Sequence, residues 1–227
     1  MRGPGADDPA LDDRRHAIRE LGDALRDLVQ QAAATEVPAE ELRRVAALVR
    51  EATAPLAASS RGRTEMPSAD DLLRGFRLYN PVTGVGSALA PPLHIEIVDG
   101  GVVGTCELGL AYEGPPMFAH GGVSAMLLDQ MLGYAAGVAG RPGLTVSLVT
   151  RYRRPVPLET PLRLAAKATE FTDKGAVAEG AIATAEDPET TLVEATATFH
   201  SLRPEQAMRL FGAALNPDAR DPSAAHD

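Results

Sequence analysis

Apolar residues recur at helical spacing in three stretches of this chain and at strand spacing through most of the rest. Between residues 10 and 33, Leu11, Ile18, Leu21, Leu25, Leu28 and Val29 fall at three- and four-residue spacings among Asp and Arg, which predicts an amphipathic helix with a solvated polar face. After Pro38 the run AEELRRVAALVREA repeats the pattern with Leu42, Val45, Leu48 and Val49, and Pro55 is expected to close it. The third stretch, MFAHGGVSAMLLDQMLGYAAGV from Met117 to Val138, is apolar on nearly every side until Gly140 and Pro142 stop it. A helix without a polar face belongs inside a protein. Its Gly-rich flanks and a carboxylate at its middle make it a poor membrane span.

Strand-like runs surround that helix. LHIEIVDGGVVGTCEL reads as two strands around Asp99, Gly100 and Gly101, a hairpin signal. LTVSLVTRYRRPVP is β-branched and alternating, with Thr145, Ser147, Val149 and Arg151 on one side and Leu144, Val146, Leu148 and Thr150 on the other. Leu162 to Phe171, Ala176 to Ala185 and Thr191 to Leu202 make three more strands, joined by the turn sequences TDKG and EDPE. The expectation is therefore two strands, one long buried helix, and a meander of four strands' length. An antiparallel sheet wrapped around the helix lets the two apolar surfaces cover each other.

Three segments follow from this: residues 1–68 as a helical extension with a linker, 69–203 as the sheet-and-helix domain, and 204–227 as a short helix and a disordered tail. Asp70 to Leu78 carries one or two helical turns, and NPVTGVGSALAPPL is an irregular approach to the first strand.

Composition narrows the partners. The formal net charge is −9, and aromatic residues make up 4% of the chain with no Trp. Both features argue against nucleic acid, which needs a cationic surface or stacking platforms. The one cysteine, Cys106, sits in the strand-like run VVGTCEL and reads as a small core residue rather than a reactive thiol. The start MRGPGADDPALDD lacks the apolar stretch of a secretory signal, and no apolar run reaches membrane-span length, so the cytoplasm is the expected compartment. Neither a Cys/His cluster nor a phosphate loop nor a dinucleotide fingerprint is present, so no metal or cofactor is expected.

The central stretch carries the candidate chemistry. Asp129 stands in the middle of an apolar helix, where a carboxylate is costly unless it is paired or has a task. His120, Gly121 and Gly122 stand at the helix start, where amide groups lack internal partners and face the positive end of the dipole. Such amides can receive an oxyanion, although Gly residues there can equally serve a tight turn. Gly121 and Asp129 are eight residues apart, about 12 Å along one helix. One helix cannot bring both to the same reacting carbonyl. If both act, the amide comes from one subunit and the carboxylate from the other, across a two-fold axis.

HGGVSAMLLDQ, followed by the LTVSLVTRYRRPVP strand and preceded by APPL and YEGPP, resembles the hotdog-fold thioesterases, in the PaaI-like branch that includes the THEM-group acyl-CoA thioesterases. The resemblance covers about residues 80–203. It implies an α+β hotdog fold, five to six antiparallel strands around one central helix, and hydrolysis of an acyl-CoA thioester by a homodimer or a homotetramer built as a dimer of dimers. It makes Gly121 the oxyanion donor, Asp129 the catalytic carboxylate as general base or nucleophile, Thr145 the hydroxyl that holds the water or the carboxylate, and His120 the residue that orients the loop. Gly122 is implied beside them as a substrate-binding residue. Relatives often carry Asn six residues before the histidine, where Gly114 stands here, so Glu113 or a backbone amide would take that role.

Coenzyme A brings phosphates, and Arg151, Arg153, Arg154, Arg163 and Lys167, set against the single acid Glu159 in that span, form the candidate cationic patch. The terminal helices are expected to cover a sheet or subunit surface, with a lid over the acyl channel as the sharper alternative. A different class of function, a non-catalytic acyl-CoA-binding or sensing protein of the same fold, would have no need of Asp129.

Overall fold

The computed structural model describes residues 8–71, 77–91 and 93–215. The chain runs α1 (Pro9–Ala34), α2 (Ala39–Ala57), β1 (His94–Val98), β2 (Gly101–Cys106), a short 3-10 turn (Leu110–Tyr112), α3 (Gly121–Val138), β3 (Leu144–Tyr152), β4 (Leu162–Thr172), β5 (Gly175–Thr184), β6 (Val193–His200) and α4 (Pro204–Leu215). Most of the expected helical turns between Asp70 and Leu78, and the expected tail after residue 215, lie outside the described residues. Among the described residues no helix is long and apolar enough to cross a membrane.

The six strands form one antiparallel sheet in the order β1-β2-β4-β5-β6-β3. The expected four-strand meander is therefore only partly present. β4, β5 and β6 follow one another, but β3 crosses to the far edge and pairs with β6, while β4 lies beside β2. The long helix between β2 and β3 is what makes that crossing possible, since it carries the chain over the face of the sheet.

α3 packs on that face. Leu127, Leu128, Met131, Leu132, Ala135 and Ala136 are buried against Val102, Leu164, Ile182, Val193 and Phe199. Ala176, Ala178, Ala195 and Ala197 supply the small side chains beneath it. On β6 the alternation is regular: Val193, Ala195, Ala197 and Phe199 are buried, while Thr196, Thr198 and His200 are exposed. Each fully buried leucine contributes about 1.5–3 kcal/mol relative to exposure, so this one helix is the main apolar partner of the sheet.

α3 is not buried all round, contrary to the reading from hydropathy. Ala125, Met126, Asp129, Gln130 and Gly133 are only half-buried, and Gly122 and Gly137 are exposed. Small and apolar side chains on this open side hid its exposure in the sequence.

β3 departs from strict alternation. Its pairing with β6 shifts register between Thr145 and Ser147, leaving Val146 as a bulged residue. Residues directly opposite in an antiparallel pair share a face. Thr145 lies opposite the buried Phe199, and Leu148, Thr150 and Tyr152 lie opposite Ala197, Ala195 and Val193. Ser147, Val149 and Arg151 face the other way with Thr198, Thr196 and Glu194. The bulge thus moves Thr145 out of the set in which simple alternation placed it and onto the helix side.

Of the two surfaces expected for the N-terminal helices, the sheet of the same chain is not the one α1 covers. α1 rests not on the sheet but on loops. Arg26 donates to the carbonyls of Val85 and Ser87 at 3.0 and 2.7 Å, and Arg15 donates to that of Ala69 at 3.1 Å. α2 runs through Pro55, which falls in its last turn rather than closing it, and buries no residue.

Candidate functional site

The turn that feeds α3 is held by its own backbone. Gly114 donates to the Phe118 carbonyl and Phe118 to that of Pro115, each at 2.9 Å. The Glu113 carboxylate, the expected stand-in for the asparagine, accepts from the Met117 amide at 3.0 Å through one of its oxygens. A Cβ at Gly114 would lie 2.7 Å from the His120 Cα. The loop passes so close beneath His120 that only glycine fits there.

His120 is the N-cap of α3. Its amide donates to the Tyr112 carbonyl at 2.9 Å, and its Nδ1 accepts from the Gly122 amide at 3.0 Å. That bond places the neutral imidazole's proton on Nε2. Val123 and Ser124 both donate to the His120 carbonyl. The Gly121 amide is left: among the described residues it donates to no acceptor, at the positive end of an 18-residue helix. The Gly121 carbonyl accepts from the Tyr152 hydroxyl at 2.9 Å. Burial pushes the nearby Tyr112 phenol above its usual range, against the pull of Arg26, so it stays protonated at neutral pH.

Two turns further along α3, Asp129 Oδ1 accepts from the Thr145 hydroxyl at 3.0 Å. Among the described residues no cation pairs with this carboxylate and no donor reaches its second oxygen. Its neighbour Gln130 accepts from the Asn80 side chain at 3.1 Å, which ties the approach segment to the helix beside the acid. No group of three or more His, Cys, Asp and Glu among the described residues is placed to hold a metal ion.

The chain is similar to a thioesterase superfamily protein of known crystal structure, with 36% identity over 80% of this chain and 94% of the other and a TM-score of 0.71. The chain belongs to the thioesterase superfamily. Residues 118–191 match that family directly, a span that includes His120, Gly121, Asp129 and Thr145. Its six-stranded sheet with one central helix is the hotdog fold of the family. The match to the crystallised relative is longer than the sheet-and-helix domain, so it reaches into the N-terminal helices. A second similarity is to human acyl-coenzyme A thioesterase THEM5, 29% identical over 98 residues. It spans 43% of this chain and only 39% of the human protein.

Within this family frame, the structure brings His120, Gly121 and Gly122 together at the start of α3 and sets Thr145 against Asp129. The Gly122 amide is already bonded to His120 Nδ1, so of the two glycine amides only that of Gly121 is open among the described residues. Two members of the cationic patch are engaged within the chain. Arg151 faces the opposite side of the sheet from Thr145, and both Arg151 and Arg153 pair with Glu194 at 3.9 and 2.7 Å. Glu194 comes from β6, so a count of charges along residues 151–167 could not include it. Arg154 forms no ion pair among the described residues. His94 is exposed beside Glu96, and Cys106 is buried, as its place in a strand-like run suggested.

Tyr152, Asn80 and Gln130 were not singled out by sequence. Tyr152 stood inside the quoted RYRRPVP run and is one of only four tyrosines, the signal that could have marked it.

Proposed function

We propose that this chain hydrolyses acyl-CoA thioesters to the free acid and coenzyme A, as a homodimer or dimer of dimers in which each site is built from two subunits. The observation that carries the reading is the pair of unspent groups on α3: a Gly121 amide without an acceptor, and an Asp129 carboxylate with one oxygen fixed by Thr145 and the other open. Family membership and the likeness to THEM5 support the same activity.

In this reading a water attacks the thioester carbonyl carbon while Asp129 takes its proton. The carbonyl oxygen, now anionic, is received by the Gly121 amide of the other subunit. The C–S bond then breaks, and the thiolate of coenzyme A leaves with the proton held by Asp129. An attack by Asp129 itself, through an anhydride opened by water, uses the same groups. Either route needs a carboxylate, an amide and water, and no cofactor beyond the coenzyme A of the substrate. His120 orients the turn, and Arg154 is the member of the cationic patch that we assign to phosphate.

β3 supports the two-subunit arrangement. It is an edge strand, and its Val146, Val149 and Tyr152 are 59%, 55% and 56% exposed, a long apolar edge that a second copy would cover.

Free thiol released from a panel of short, long and aromatic acyl-CoAs tests the activity. Turnover of at least one, lost in Asp129→Asn, is the expected result. Tight binding of acyl-CoA without turnover would replace the hydrolase with the binding protein.

A further inference from the structure

We propose that helix α1 belongs to the scaffold of the site, with Gln30 as a positioning residue for His120 and the first turn of α3. For its kinetic consequence the inference rests on the hydrolase reading; for its structural consequence it does not.

A helix that merely covers a domain buries its apolar stripe. α1 half-buries Leu11, Ile18, Leu25 and Leu28, leaves Leu21 and Val29 exposed, and sets Arg15, Gly22, Arg26 and Gln30 against the domain as well. The polar side chains on this stripe end on backbone groups of three separate loops. Gln30 makes the most consequential of these contacts. Its Oε1 accepts from the Ala111 amide at 3.1 Å, and its amide group lies flat on Gly109, where an added Cβ would be 2.5 Å from Oε1 and 2.6 Å from Nε2.

The contact passes directly to the site. Gly109 accepts from the Tyr112 amide at 3.0 Å and closes the 3-10 turn. The Tyr112 carbonyl then accepts from the His120 amide at 2.9 Å, and His120 Nδ1 holds Gly122 at 3.0 Å. Four hydrogen bonds therefore connect a side chain of α1 to the peptide that follows the oxyanion donor. The Arg26 contacts secure the neighbouring 85–87 loop, so Gln30 reaches Ala111 from a helix that is already fixed.

Three variants of the full chain test this. Gln30→Leu keeps the volume and removes the acceptor. Gly109→Ala, on a different element, pushes the amide off its seat. Gln30→Glu restores an acceptor oxygen. The readouts are hydrogen exchange at the His120 and Gly122 amides, and kcat and KM for thiol release. We expect Gln30→Leu and Gly109→Ala each to speed exchange at both amides by about five- to tenfold and to lower kcat by a similar factor, with KM within about twofold. The double variant should be no worse than the more affected single one, and Gln30→Glu should recover most of the loss. Unchanged exchange in both variants, or a Gln30→Glu protein as impaired as Gln30→Leu, overturns the proposal. A wild-type chain that hydrolyses no acyl-CoA would sink the catalytic reading alone, and the exchange measurement would then decide the positioning role.

Discussion

The Tyr152 hydroxyl donates to the Gly121 carbonyl at 2.9 Å, and its ring lies over the same glycine. That carbonyl belongs to the same peptide group as the Gly122 amide, which His120 Nδ1 holds from the other side. The first peptide of α3 is thus pinned at both its oxygen and its hydrogen, and the open Gly121 amide stands immediately before it. Thr145 of the same strand holds Asp129, so β3 braces the helix at its start and at its middle.

Tyr152→Phe removes one hydrogen bond and leaves the ring in place. A half-exposed neutral bond contributes about 0.5–1.5 kcal/mol. The variant should lose about two- to tenfold in kcat with little change in melting temperature, measured by thiol release and calorimetry. Full activity would mean that the His120 bond alone holds the peptide.

Asp129→Asn should lower turnover by about 10²- to 10⁴-fold, the usual cost of losing a general base. Thr145→Val should cost less, about 10- to 100-fold, because it removes one hydrogen bond to a charged group. Both proteins should keep their fold by circular dichroism. A Thr145→Val enzyme as slow as Asp129→Asn would make the hydroxyl a direct participant rather than a support.

Subunit sharing has its own test. Gly121→Pro deletes the candidate donor at the first helical position, where proline is tolerated, and His120 already has the extended ψ of 133° that a following proline requires. Gly121→Pro and Asp129→Asn should each be inactive alone. Mixed under conditions of subunit exchange, they should regain about a quarter of wild-type activity, since half of the dimers are mixed and each carries one intact site. Mixtures that stay inactive after exchange would place both groups of a site in one chain.

Cys106 is 8% exposed, and its burial pushes the thiol up to about 12. The native chain should resist alkylation at pH 8 and react fully once unfolded. The unfolded thiol ionises at its ordinary value near 8.5, while the folded one stays neutral. Its contribution to stability is therefore complete below about pH 8.5 and is lost as pH rises from there toward 12. Cys106→Ala should flatten that alkaline part of a pH–stability curve.

Much of this molecule was legible in its residues, and for identifiable reasons. The period of Leu127, Leu128, Met131 and Leu132 marked the helix that the sheet encloses, and the repeated two-residue alternation of β4 to β6 marked the strands around it. His120, Gly121 and Asp129 were visible because a helix start and a carboxylate among leucines are local features. What stayed hidden was nonlocal. The Glu194 that faces Arg151 comes from another strand, β3 reaches its partner β6 only after two intervening strands, and Gln30 meets Ala111 across 81 residues.

The bulge at Val146 has one more consequence, for how relatives of this chain are read. It puts Thr145 and Ser147, two hydroxyl residues separated by a single position, on opposite faces of the sheet. A homologue lacking Val146 would pair the two hydroxyl residues with the same neighbouring partners in regular register and keep the first one facing the acid. A strand of unchanged length without the bulge would turn it outward. Correspondence at this strand must therefore be judged by counting residues through the bulge, and a one-position gap placed there removes the bulge while leaving the orientation of Thr145 intact.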